Sequence, residues 1–537
     1  MSAADHKGSP VRLEFGDLQG GILSAYGKRG FPKGRFLLFH VDAPPAGRAF
    51  LEALLPLVTA ALRWAPDGRA RRPDEVEKPV ATLNLAFTFS GLRALDVPVR
   101  TLRSLPDVFI EGMALRAPIL GDDIGPNVIR NWDPVWQPDP KAGKPRPHIL
   151  VMLNAADDGQ GGAHPALGAL TQRVLGLAEA SQGHVRLLEG HGGAHPGWQD
   201  LSALYAPDGA GRPVPQPTEH FGFVDAIGDP VFEGQYADGE EREKCVGQGA
   251  VDGQGQWRPL RTGEFVLGWP DEGQEVAGMG LPLDFSRNGT FFAYRKLHQD
   301  LEGWDRWVET RSAELARAWN LPSLDVARAT LKAKMAGRWE DGVPLTLAPD
   351  WESWKAAQAR MAGMGKAERQ AYLTSFTFAG DEDGARCPKT AHIRRANTRD
   401  MLDPLGRAEA KDRMGSVLND RRRILRRGLP YGGKDDPHGE HGIVLLAYCA
   451  DLFRQFEFVQ QQWMNYGLDF DAGNDSCPIV GPHVEGSRFV IPAPDASRPP
   501  FIAGGLTPFV STRGGEYFFQ PSMTALRMIA EGLVDPT

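Results

Sequence analysis

The chain has 537 residues, 42% of them hydrophobic and 24% charged. That length and balance fit a soluble globular protein with a large core, divided into two to four domains or built as one αβ unit from two halves. A net charge of −8 at pH 7 argues against nucleic acid as a main partner, because a phosphate-binding face needs a basic excess.

No run approaches the ~18 apolar residues of a membrane span. The first residues show no apolar stretch behind their charges, so neither a membrane partner nor a secretory signal is expected. Cys245, Cys387, Cys449 and Cys477 are far apart and form no CxxC pair, which suits a reducing, cytoplasmic location.

In chain order, residues 35–41, 81–88 and 148–153 read as strands, the second with clear alternation. Helical patterns occupy 49–62 and 166–180. Strand, helix, strand, strand, helix, strand is the ferredoxin-like order, an antiparallel sheet covered by helices on one face. A similar series returns later: strands at 263–269 and 290–295, a run from 441 to 447 leading into a helix at 451–466, and a strand at 515–519. Pro521 then suits the first position of a closing helix. The expectation is an α+β protein of two ferredoxin-like halves, 10–220 and 221–537, the second with a helical insertion at about 300–375. The stretches 205–218 and 233–262 read as Gly- and Pro-rich connections.

Three segments could carry chemistry. At 387–397, His392 stands among Lys389, Arg394 and Arg395. An imidazole can ligate a metal or a haem iron, and guanidiniums can pair with carboxylates such as haem propionates; an ordinary surface or core histidine is the plain alternative. At 222–230, Asp225 lies between small residues behind His220, Phe221 and Phe223. A carboxylate partly withdrawn from water can shuttle a proton, and a turn aspartate satisfying backbone amides would look the same. At 423–432, a basic strand or helix end leads to a turn. Its arginines could stabilise a developing oxyanion or simply form a solvated surface.

Taken together and in order, these segments resemble the dye-decolorising peroxidases, most closely the longer cytoplasmic members. The resemblance starts with Asp-Leu-Gln-Gly-Gly-Ile-Leu at 17–23. It continues through Phe-Gly-Phe-Val-Asp at 221–225, which looks like the family's GxxDG motif. Gly-Glu-Phe-Val-Leu-Gly at 263–268, Ala-His-Ile-Arg-Arg-Ala-Asn at 391–397 and Ile-Leu-Arg-Arg-Gly-Leu-Pro-Tyr-Gly at 424–432 follow, and Thr-Arg-Gly-Gly-Glu-Tyr-Phe-Phe at 512–519 closes it. It implies haem b held mainly by the C-terminal half. The absence of a CxxCH signature makes that haem non-covalent. Position by position it implies His392 as the proximal iron ligand, Asp225 as the distal acid–base residue and Arg426 as the distal arginine. It further implies Asp475 as the acid bonded to the proximal imidazole, and Arg394 and Arg395 as propionate partners. The implied reaction uses hydrogen peroxide to oxidise phenolic or dye-like organic reductants in one-electron steps. A carboxylate base with an unperturbed pKa of ~3.9 implies an acidic optimum.

The chain departs from the family pattern at Lys389-Thr390, where Phe-Gly is commoner, at Thr398, which replaces a frequent proline, and in two places on the distal side. Ala226 stands where the second glycine of GxxDG falls; at a positive φ it would strain the turn by ~1 kcal/mol and redirect Asp225. Ile443, Val444 and Leu445 occupy the region where a distal phenylalanine is usual. These departures leave a second reading open, a haem-binding or haem-handling protein with weak peroxidase turnover.

Overall fold

The computed structural model describes residues 11–65, 75–138, 143–225, 227–236, 240–252, 256–277, 280–402, 417–433, 439–493 and 498–534. Its centre is one nine-stranded sheet whose neighbouring strands run antiparallel. The strands are β1 (Lys33–Val41), β2 (Ala81–Phe87), β3 (Ile149–Ala155), β4 (Val185–Leu187), β5 (Gln199–Ser202), β6 (Thr290–Gln299), β7 (Leu425–Tyr431), β8 (Gly442–Cys449) and β9 (Val510–Gln520). Their spatial order is β7-β8-β6-β9-β2-β3-β1-β4, with β5 also paired to β1.

The same unit occurs twice in that order. Strands β1 to β4 lie as second, third, first and fourth, and so do β6 to β9. Helix α1 (Pro44–Leu54) joins β1 to β2, and α2 (Pro165–Glu179) joins β3 to β4. In the second set α3 (Leu301–Trp319) begins the crossing from β6 to β7, and the wide π-type turns Leu452–Glu457 and Val459–Met464 cross from β8 to β9. This is the ferredoxin-like plan used twice. The two sets meet where Phe519 of β9 pairs with Phe87 of β2, and β7 lies beside β5, curling the sheet towards a barrel.

The middle strands follow from their composition. Strand β3 is buried along its whole length, as its unbroken Ile-Leu-Val-Met-Leu run requires of a strand covered on both faces. The fully buried Phe39, Leu85, Val151, Phe292 and Phe518 belong to the main core around it. A second core joins α3 and α4 (Leu324–Ala336) to the π-type turns, and a third packs α5 (Trp351–Ala362) and α6 (Lys366–Thr374) around Trp339.

Three expectations need correction. The run 263–269 is not a strand: Thr262–Glu264 is a short 3-10 turn, and Gly268 takes φ +86. Phe265, Val266 and Leu267 are fully buried in this irregular segment, so an apolar run signalled burial rather than sheet. The helix expected at 49–62 is α1, which starts on Pro44 and gives way to a turn at Leu55–Leu57, because Pro56 restricts Leu55 and cannot donate to the ladder. The closing helix α8 spans Met523–Glu531, with Ser522 rather than Pro521 at its start; the Ser522 hydroxyl accepts the Ala525 amide at 3.1 Å. Among the described residues, no helix is long and apolar enough to cross a membrane.

Candidate active site

Arg426 lies on β7, whose register with β8 pairs Arg426 with Ala447 and Gly428 with Leu445. Paired residues share a face of a sheet and alternate residues share it too, so Arg426 and Leu445 point to the same side. Both are half-buried, while Arg427 and Val444 are buried on the opposite side. Of the residues at the departure near 445, Leu445 is therefore the one beside Arg426, with Ile443 further along the same face.

Asp225 comes from a loop 201 residues earlier, and its carboxylate accepts from Arg426 Nη1 at 3.1 Å. Its own amide donates to Pro217 O at 2.8 Å and that of Val224 to Glu340 O at 2.9 Å, which fixes the loop. Gly222 in that loop takes φ +98, a conformation that suits glycine. Ala226 lies outside the described residues.

The Arg426 side chain also donates to Ile227 O at 3.2 Å. Behind it, Asp229 accepts from the Arg426 amide at 3.2 Å and from the Arg427 guanidinium at 2.8 Å. Arg427 in turn donates to Gly21 O at 3.1 Å and Ile22 O at 3.0 Å. The 17–23 segment thus serves as an anchor for the strand that carries Arg426. Sequence reasoning missed Asp229 and Arg427 as supports; Arg427 directly follows Arg426, and Asp229 lies about one turn of chain beyond Asp225.

His392 opens the five-residue helix α7 (His392–Ala396). Its Nδ1 lies 3.3 Å from the Sγ of Cys477, and no hydrogen-bond partner of Nε2 is found among the described residues. Burial works against charging His392, yet its pKa stands above the ordinary 6.5, because the Cys477 charge and hydrogen bond outweigh it; Arg426 opposes and Asp225 favours the charged form. Burial also pushes the Cys477 thiol up, but His392, the Val480 amide and Arg395 bring it below its ordinary value. His392 therefore shares an electrostatic environment with Arg426 and Asp225, although they come from three separate parts of the chain.

The remaining selected residues take other roles. Arg394 is fully buried against Asp381 at 2.8 Å, donates to Cys387 O at 2.6 Å and stacks on Phe378. Arg395, also fully buried, donates to Trp463 O and Tyr466 O at 2.8 Å and to Asp475 O at 2.6 Å, capping the end of the π-type turns as arginines do near helix C-termini. Both guanidiniums, expected at the propionates, are engaged here by partners in the protein interior. Asp475 is not the partner of His392: its carboxylate faces Arg488 Nε at 3.7 Å. Cys477 holds that position, and nothing in its local sequence marked it.

These residues fit an iron porphyrin. An imidazole with one nitrogen engaged and the other available could hold a haem iron through that second nitrogen. Among the described residues no group of three or more His, Cys, Asp and Glu side chains converges on a metal ion. Half-buried Phe223, Leu297, Ile424 and Met401 add apolar surface around the C-terminal core.

Comparison with known proteins gives the same class. Residues 17–160 match the DyP dimeric alpha+beta barrel domain, and residues 350–495 match the C-terminal domain of Dyp-type peroxidases. The chain is 26% identical to Peroxidase 2 of Mycetinis scorodonius, over 96% of its own length and 88% of that protein's. It is 30% identical to the Multifunctional dye peroxidase DyP2 of an Amycolatopsis strain, over 58% and 61% of the two chains. In structure it is similar to a decolorizing peroxidase from Auricularia auricula-judae, with a TM-score of 0.68, 21% identity, and 96% and 100% of the two chains covered. The chain belongs to the dye-decolorising peroxidase family. It is a peroxidase, an oxidoreductase.

Proposed function

We propose that the protein is a haem-dependent peroxidase that uses hydrogen peroxide to oxidise small phenolic or dye-like molecules in one-electron steps. The observation that carries this reading is the Asp225–Arg426 pair at 3.1 Å, whose two charges both act on His392. Non-covalent haem b, held mainly by the C-terminal half through His392, would supply the iron that binds peroxide and stores oxidising equivalents. The chain's own residues do the rest. Asp225 takes the proton from the inner peroxide oxygen and returns it to the departing one. Arg426 stabilises the negative charge that develops as the O–O bond breaks. Four free, buried cysteines support a reducing, cytoplasmic setting.

The test is stopped-flow absorbance of haem-loaded protein mixed with one equivalent of peroxide, at about pH 4 and pH 7 to straddle a carboxylate titration. Rapid loss of the resting Soret band is expected. Bound haem that does not respond at either pH would refute the peroxidase reading and favour a haem-handling protein with weak turnover.

A further inference from the structure

The side chain behind His392 is a cysteine. Cys477 is fully buried in the second core beside Trp463, Met464 and Ile479. Its amide donates to Met464 O at 2.8 Å, and its carbonyl accepts the Gly481 amide at 2.9 Å. Pinned at both backbone groups, it presents Sγ to His392 Nδ1 at 3.3 Å, within reach of a hydrogen bond to sulfur. The Val480 amide points at the same sulfur. A sulfur that accepts this amide has room for a second donor, and the Nδ1–H of His392 is the one within reach. The carboxylate two residues earlier cannot compete: Asp475 faces Arg488, and its carbonyl is taken by Arg395.

We propose that Cys477 is the positioning residue of the iron-binding histidine, accepting the Nδ1–H of His392 so that Nε2 is the nitrogen presented to iron. This rests on the reading of His392 as the haem ligand. An acceptor behind a metal-bound imidazole fixes its tautomer and ring orientation and sets its basicity. A sulfur acceptor with the same geometry as a carboxylate gives the imidazole a different donor strength, which is a property of the iron–imidazole bond rather than of folding.

The test compares haem-loaded wild type with Cys477→Ala, Cys477→Asp and Asp475→Asn. Two quantities are read: the rate of haem loss to excess apomyoglobin, and the iron–histidine stretching band of the reduced protein in resonance Raman spectra. Cys477→Ala is expected to lose haem roughly 10- to 100-fold faster, the usual cost of removing such a partner, and to shift the band. Cys477→Asp, which restores an acceptor, is expected to recover retention and move the band to higher frequency than in wild type. Asp475→Asn should leave both readings at wild-type values. An unchanged band and unchanged haem loss in Cys477→Ala would overturn the proposal, as would a shifted band in Asp475→Asn. If Cys477→Ala does not fold, Cys477→Asp against wild type carries the same comparison, and identical bands in the two would overturn it. His392→Ala is run alongside: a normal haem spectrum there would remove the ligand assignment itself, a failure distinct from that of Cys477.

Discussion

Replacing Asp225 with Asn or Arg426 with Leu removes one charge from a pair that is well hydrated. The side chains keep 48% and 40% of their surface in water, so their mutual attraction adds no more than about 1 kcal/mol to stability. Both variants should therefore melt within about 2–4 °C of wild type. The kinetic effect should be much larger. Losing a preorganised donor at the developing negative charge costs about 10²–10³ in rate, or ~2.7–4 kcal/mol of barrier; losing a positioned base costs about 10²–10⁴. Arg426 is also bonded to Ile227 O at 3.2 Å, so its guanidinium keeps an anchor in Asp225→Asn, and that variant reports on the base rather than on a displaced arginine. The assay is the rate of Soret loss under excess peroxide in stopped flow, with haem content and thermal melts measured on the same samples. If the two groups serve one step, the double variant should lose less than the product of the single losses. Wild-type rates in both single variants would refute the distal assignment, and so would a rate loss that merely follows loss of bound haem.

Two further perturbations probe the scaffold and its pH dependence. Arg394→Met leaves Asp381, 2% exposed, without its cation and should destabilise the protein by about 3–5 kcal/mol in urea unfolding; unchanged stability with weaker haem retention would instead return Arg394 to the propionates. His148 accepts the Val41 amide on Nδ1 at 3.0 Å and stacks on His40. Burial, assisted by the neighbouring His40 charge, pushes its pKa down from 6.5 to about 3. A base depressed on folding contributes fully above its unfolded pKa near 6.5 and loses that contribution as the pH falls towards 3. At pH 4.5 the loss amounts to about 2.7 kcal/mol. His148→Asn keeps an acceptor that does not titrate, so its urea midpoint should fall less than that of wild type between pH 7 and 4.5. Equal falls in both proteins would contradict this account.

Much of the architecture could be read from the chain because period-two alternation and apolar runs mark strands wherever they are. The ferredoxin-like order came from that pattern, and strands β6, β8 and β9 are longer than their sequence signals because pairing on both sides extends them. The failure at 263–269 has the opposite cause. Phe265, Val266 and Leu267 form a strand-like run, but Glu264 within the segment is fully buried against Arg454 at 3.0 Å, and Gly268 bends the chain away. Periodicity reports burial, and only backbone pairing makes a strand.

The site was legible in a different way. Asp225 and Arg426 lie 201 residues apart, and nothing in their spacing brings them together; only the ordered resemblance to a known family did so. Where that guidance depended on residue type alone, the structure gives the residues other partners. Arg394 and Arg395 look like propionate partners because guanidiniums bind carboxylates, yet Asp381 and the carbonyls of Trp463, Tyr466 and Asp475 are nearer and already use them. Asp475 looks like the imidazole's partner because acids commonly are, yet the turn decides which side chain faces inward. The Asp475 amide bonds to Ala472 O at 3.0 Å and the Cys477 amide to Met464 O at 2.8 Å, so successive residues are tied to different neighbours and their side chains diverge. A step of two residues along this loop replaces a carboxylate with a sulfur behind His392. Composition shows which chemistry the loop contains; the backbone hydrogen bonds determine which of it reaches the histidine.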